Sequence, residues 1–122
     1  MKNGPLKIYV AGPYTPTSGD LHDAVRQAHQ NTLRAIDVGL ELIKRGHLPF
    51  IPHLTHFIHM QSKDALPAQF YRDYDLAWLP YCDALFFISE STGANREKQW
   101  ATEHNLTIFT NLSQVPNINV TR

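Results

Sequence analysis

Two carboxylates stand where helices would aim them inward. Glu97 lies in SESTGANREKQWA, Ser89 to Ala101, which follows the apolar run DALFFI and opens on a Ser-Thr-Gly turn. Helix-start chemistry accounts for it poorly. A capping-box glutamate sits three residues after its Ser or Thr cap, whereas Glu97 falls five after Thr92 and six after Ser91. On a helix it shares a face with Ala94, Trp100 and Ala101, at minus three, plus three and plus four. That face is expected to pack inward, where a carboxylate is costly to bury without partners or a chemical task. Asp75, in YRDYDLAWLPYCDAL, comes one helical turn before Trp78 and Leu79 and is expected to point inward as well. Asp83, at a helix-to-strand junction, reads as a turn or cap residue. Paired carboxylates perform glycosyl transfer, one as nucleophile and the other handling protons. Spacing alone leaves both outcomes open for Asp75 and Glu97: a converging pair, or solvated helix acids.

The other chemistry-bearing residues are less specific. GPYTPTSG, after the first apolar run, offers backbone N–H groups and the side chains of Tyr14, Thr15, Thr17 and Ser18 to a phosphate or sugar. It is neither G-x-x-x-x-G-K-[ST] nor G-x-G-x-x-G, and a plain Pro-rich turn is its alternative. His53, His56 and His59 recur at i, i+3 and i+6 in PHLTHFIH. Helical rotation carries the three apart, and no H-E-x-x-H is present, so neither a metal site nor a cofactor is expected. Cys82 reads as a buried small residue rather than a nucleophile.

The elements that must position these residues are legible from pattern. LKIYVAG is a buried strand ending at Gly12-Pro13. Asp20 is a plausible N-cap for a long amphipathic helix with Leu21, Val25, Ala28, Thr32, Ala35, Ile36, Gly39, Leu42 and Ile43 at three- and four-residue spacing, ended by Gly46. HLPFIP is a second strand, with Pro49 suggesting an edge. A short helix is expected near Leu54 to Met60, and another from Pro67 to Tyr81 with Phe70, Tyr74, Ala77 and Trp78 on one face. DALFFIS is a third strand, apolar throughout as a doubly covered strand should be. A helix follows Gly93, then LTIF as a fourth strand; NLSQVPNINVTR has no clear pattern. This alternation predicts an α/β fold, a flavodoxin- or Rossmann-like three-layer sandwich on a four- or five-stranded parallel sheet. Ligands then bind at the carboxyl ends of the strands, which brings the Gly12 loop and the SESTG loop together.

Composition narrows the classes. The chain has 122 residues, 43% hydrophobic and 18% charged, which fits one globular domain over 1–122. Lys plus Arg and Asp plus Glu both number 11, so no general charge draws it to a nucleic-acid polymer or an acidic membrane. A single cysteine and the lack of a long apolar run suit a cytoplasmic protein.

IYVAGPYT, GHLPFIPHLTHF, DLAWLPYCDAL and STGANRE, in this order over about residues 6 to 110, resemble the nucleoside 2-deoxyribosyltransferase superfamily, which includes small hydrolases of deoxynucleoside monophosphates. The resemblance implies Glu97 as nucleophile, Asp75 as second catalytic acid and Tyr9 as a strand tyrosine touching the site near the sugar and the nucleophile. It implies Ser91 and Gly93 at a 5′-phosphate, with Gly12, Pro13, Tyr14, Thr15, His53 and Ala94 in the substrate-binding set. The implied activity is cleavage or transfer of the N-glycosidic bond of a (deoxy)nucleotide or nucleoside through a covalent glycosyl-enzyme. Tyr14, Phe57 or Trp78 would stack on the base. The alternatives are a non-catalytic nucleotide-sensing module of the same fold and a metal-dependent hydrolase using the histidines. The implied partners are a small nucleotide or nucleoside and further copies of the chain as a homo-oligomer. The first loop lacks the arginine that the hydrolases use for phosphate, which would leave backbone, Thr15, Ser18 and Arg96. The tail does not match the family's segment that reaches a neighbouring subunit, where Asn117 or Asn119 would have to act.

Overall fold

The apolar runs become the strands of one parallel sheet. The computed structural model describes residues 4–15, 19–63 and 65–118; Thr17, Ser18 and Asn119 lie outside them. The strands are β1 (Lys7–Ala11), β2 (Leu48–Phe50), β3 (Ala84–Phe87) and β4 (Thr107–Phe109), and the helices α1 (Leu21–Lys44), α2 (Thr55–Ser62), α3 (Ala68–Trp78) and α4 (Thr92–Glu103). Single 3₁₀ turns follow β2 at Pro52–Leu54, α3 at Leu79–Tyr81 and β4 at Leu112–Gln114. The order across the sheet is β2-β1-β3-β4, with every pairing parallel. This is the flavodoxin- or Rossmann-like sandwich, with four strands among the described residues. Pro49 lies on the edge strand β2, where its missing N–H breaks no ladder.

The alternation of β1 sorts the two faces. Ile8 and Val10 join Ala35 and Leu42 of α1 with Ala84, Phe86 and Phe109 in one cluster. Tyr9 and Ala11 join Leu85, Leu79, and Ala94 and Ala101 of α4 in the other. With helices over both faces, β1 beyond the exposed Lys7 and all of β3 must be apolar, and they read so.

Helix α1 begins where Asp20 Oδ1 accepts the Asp23 N–H at 3.0 Å and ends before Gly46, whose φ of 92° only glycine adopts freely. Its inward stripe is Ala28, Thr32, Ala35, Gly39 and Leu42. Gly39 lets the helix approach β2's continuation, since a Cβ there would run into the Ile51 side chain. Leu21, Val25 and Ile43 share the apolar spacing but remain 81%, 47% and 47% exposed. A helix of 24 residues outruns strands of three to five residues, so part of the stripe has no sheet beneath it.

The expected inward face of α3 is also corrected. Phe70, Tyr74 and Trp78 are 42%, 40% and 47% exposed, and α3 has no fully buried residue. Leu76 and Leu79 turn to the core instead, while Trp78 stacks on Phe50 at 5.6 Å. Periodicity marks an apolar stripe without saying which neighbour covers it. Among the described residues, no helix is long and apolar enough to cross a membrane.

Candidate active site

β1 and β3 are neighbours, so the loops that leave them open on the same edge of the sheet. A cleft of about 1110 Å³ lies there, walled by Gly12–Thr15, by Glu90–Ala94 and by side chains of α1, α3 and α4. The strand ends approach closely: a Cβ on Gly12 would stand 3.0 Å from two carbons of Ile88.

The first loop is held by three other elements. His53, on the turn after β2, donates from Nε2 to the carbonyls of Gly12 and Pro13, at 3.1 Å each. Asn31 Nδ2 of α1 donates to the Tyr14 carbonyl at 3.3 Å. The Tyr14 hydroxyl lies 2.9 Å from His56 Nδ1 of α2. Burial pushes both His53 and His56 down towards the neutral ring, with His29 and His59 adding to the effect on His56. His59 meets Tyr71 edge-on at 5.4 Å. The three histidines thus have separate partners, and no group of three His, Cys, Asp or Glu able to hold a metal occurs among the described residues.

The second loop becomes the start of α4. Ser91 is its N-cap, Oγ accepting the Ala94 N–H at 3.1 Å. Ser91 is therefore engaged by its own helix. Gly93 has open space where a side chain would be, so the backbone is approachable there.

Glu97 sits in the second turn of α4, its face carried inward by Ala94 and Ala101. Its Oε2 accepts a hydrogen bond from the Tyr9 hydroxyl. Asp75 faces the same cleft from α3, with Oδ1 buried and without a hydrogen-bond partner. Burial raises Glu97 to about 7, against the opposing pull of the Tyr9 hydrogen bond and Arg96. Burial, then the Glu97 charge, raises Asp75 to about 8. Tyr9 is pushed far up, first by burial and then by Glu97, so it stays a neutral donor. Two acids that feel each other's charge, with the proton held more tightly on Asp75, can divide nucleophile and proton donor between them.

The family described as a domain of unknown function, DUF7768, matches residues 6–111. The chain belongs to the DUF7768 family. No curated protein matches it. The matched span of this DUF7768 domain runs from the first strand to just past the fourth, and contains Tyr9, Asp75, Glu97 and both cleft loops.

The DUF7768 domain brings together Gly12, Pro13, Tyr14, Thr15, His53, Asp75, Ser91, Gly93, Ala94 and Glu97, all of which line the cleft. Tyr9 does not line it. This side chain is fully buried and reaches Glu97 from beneath, which puts its hydroxyl at the expected acid. Of the expected stacking rings only Tyr14 faces the cleft; Phe57 and Trp78 lie outside it. Sequence reasoning missed Gln27, Gln30 and Asn31 of α1, and Tyr71 and Arg72 of α3, which also line it. The available signal was weak: the α1 amides adjoin the buried stripe of Ala28 and Thr32, as any flanking polar residues would.

Proposed function

We propose that this DUF7768 domain cleaves or transfers the N-glycosidic bond of a (deoxy)nucleotide or nucleoside. The observation that carries the reading is the acid pair on one cleft: Glu97 held by a buried tyrosine, and Asp75 keeping its proton more tightly. The favoured singly protonated state is Glu97 as carboxylate and Asp75 as acid.

In this reading Glu97 attacks C1′ of the sugar through an oxocarbenium-like transition state. The C1′–N bond breaks, its electron pair stays on the base nitrogen, and Asp75 delivers the proton to the leaving base. The sugar is left as an ester of Glu97. Water, or a second base, then attacks C1′; the carboxylate of Asp75 takes the released proton and Glu97 leaves as carboxylate. Tyr9 O–H stabilises the ionised Glu97 at both ends of the cycle. The approachable backbone at Gly93, together with Arg72 and Arg96 on the cleft wall, suits an anionic substituent on the sugar. Tyr14 and Tyr71 offer rings to the base.

The test is incubation of the full chain with deoxy- and ribonucleoside 5′-monophosphates and the matching nucleosides, followed by chromatography for free base. Base release is expected, and Glu97→Ala should reduce it by about 10³-fold or more. Unchanged release in Glu97→Ala removes the mechanism. A nucleotide bound and recovered intact would make the cleft a binding module.

A further inference from the structure

His56 has no part in the chemistry above, and it lies behind the cleft rather than on its wall. It is 4% exposed, on α2, with the rings of Tyr14 and of His29 on α1 each centred 5.6 Å away. Packing alone gives no reason for a histidine here, since leucine or phenylalanine would fill a buried position without polar atoms to satisfy. What the imidazole adds is a nitrogen within reach of a phenol: Nδ1 lies 2.9 Å from the Tyr14 hydroxyl. Burial, with His29 and His59 nearby, pushes the ring towards its neutral form. A neutral ring can accept the phenol O–H at Nδ1 or donate to the phenol oxygen. Tyr14 itself is half-buried and lines the cleft, on the loop that leaves β1. The main chain of that loop is held separately, by His53 at the Gly12 and Pro13 carbonyls and by Asn31 at the Tyr14 carbonyl. Those bonds leave the two side-chain torsions of Tyr14 free. The bond to His56, at the far end of the ring, is the one that restricts them.

We propose that His56 is a positioning residue: it holds Tyr14 by the hydroxyl, so that the Tyr14 ring stands preformed as the wall against which the base of the bound nucleotide rests. The inference rests on the nucleotide reading of the cleft and goes beyond it, since it gives α2 a part in recognising the base. A ring fixed before binding has less freedom to lose when the ligand arrives, so affinity gains by preorganisation. Stacking uses the face of a base and not its edge, so the gain is shared by purines and pyrimidines. The role is indirect: His56 touches Tyr14, and Tyr14 touches the ligand.

The experiment is calorimetric titration of the full chain with the 5′-monophosphates of deoxyadenosine, deoxyguanosine, deoxycytidine and thymidine, in a Glu97→Gln background where base release would interfere. His56→Leu should weaken every nucleotide that binds by about 3- to 10-fold, and Tyr14→Phe by a similar factor. The double variant should lose no more than either alone, because the two substitutions remove one and the same bond. His56→Asn, whose amide stands close to the place of Nδ1, should recover most of the loss. A histidine that served only to pack α2 would give losses that multiply, with no rescue. In the ligand-free chain, Tyr14→Phe should move the His56 Nδ1 resonance in long-range proton–nitrogen spectra, a measurement that stands even where His56→Leu does not fold. Multiplying losses, an unchanged affinity in Tyr14→Phe or His56→Leu, a failed rescue, or an Nδ1 resonance indifferent to Tyr14→Phe overturns the inference and leaves the nucleotide reading standing. If none of these nucleotides binds, that reading fails and the inference falls with it.

Discussion

The two edges of the sheet use the same residue types in opposite ways. At the amino edge, His47 is completely buried and both ring nitrogens are engaged: Nδ1 accepts the Leu6 N–H at 3.1 Å, and Nε2 donates to the Pro116 carbonyl at 2.7 Å. Asp83 likewise accepts the Lys7 N–H at 2.9 Å. At the carboxyl edge, His53 spends one nitrogen on the first loop and leaves the other unmatched, and Asp75 leaves Oδ1 unmatched. A buried polar group with its partners in place is architecture. The carboxyl edge instead gathers Asp75 and Glu97 on one concave wall, both raised first by burial. The difference follows from topology, since parallel strands gather their outgoing loops, and hence the cleft, at one edge.

Breaking the architectural edge should have a large effect. His47→Ala strands the Leu6 N–H, frees the tail at Pro116 and opens a cavity, at a cost of about 3 kcal/mol. Urea unfolding should show the lowered midpoint, while the folded fraction keeps its ligand affinity. An equal loss of affinity per folded molecule would erase the distinction between the edges.

Next comes the pH response of the cleft acids. Asp75 and Glu97 are raised to about 8 and about 7, so the folded chain binds these protons more tightly than the unfolded one. The associated stability is present in full below the ordinary carboxyl range, about pH 4, and is lost as pH rises through 7 and 8. For Glu97 alone the loss is on the order of 3 kcal/mol. Thermal midpoints should therefore fall from about pH 5 to about pH 9, and Asp75→Asn with Glu97→Gln should flatten the curve and raise its alkaline end. A midpoint that rises over that range would contradict the cause assigned to these shifts.

Tyr9→Phe is a finer probe. Removing the hydroxyl takes away the hydrogen bond that holds Glu97 down, so Glu97 should titrate higher. The acid limb of base release should then move to higher pH by about one unit, with about a tenfold loss at neutral pH. A uniform loss with no shift of the limb would mean that Tyr9 acts only through packing. The smallest change is Ser91→Ala, which removes the cap from α4 and should cost about 1 kcal/mol in unfolding experiments. A much larger loss of nucleotide affinity than of stability would show that Ser91 also serves the ligand.

Much of this is readable in the sequence. The apolar runs at Ile8 to Ala11 and Ala84 to Phe87 announce doubly covered strands because every position must be apolar there. Asp20 and Gly46 bracket α1, since a capping acid and a positive φ are local requirements met by local residue choice. The inward direction of Glu97 was legible too, because its helical neighbours Ala94 and Ala101 leave little else to pack. The apolar faces of α1 and α3 misled where they extend past their neighbours, as at Leu21 and Trp78, because burial depends on what lies opposite and not on the stripe itself.

Local patterns in the chain settle the elements, the parallel α/β class and the two candidate acids, because propensity, capping and periodicity act over a few residues. Tertiary structure alone decided that Asp75 and Glu97 share a cleft, that Tyr9 supports Glu97 from below, and that His47 is matched while His53 is not. Those facts join positions far apart in the chain. They arise from desolvation and hydrogen-bond geometry at one point in space, which no window of sequence contains.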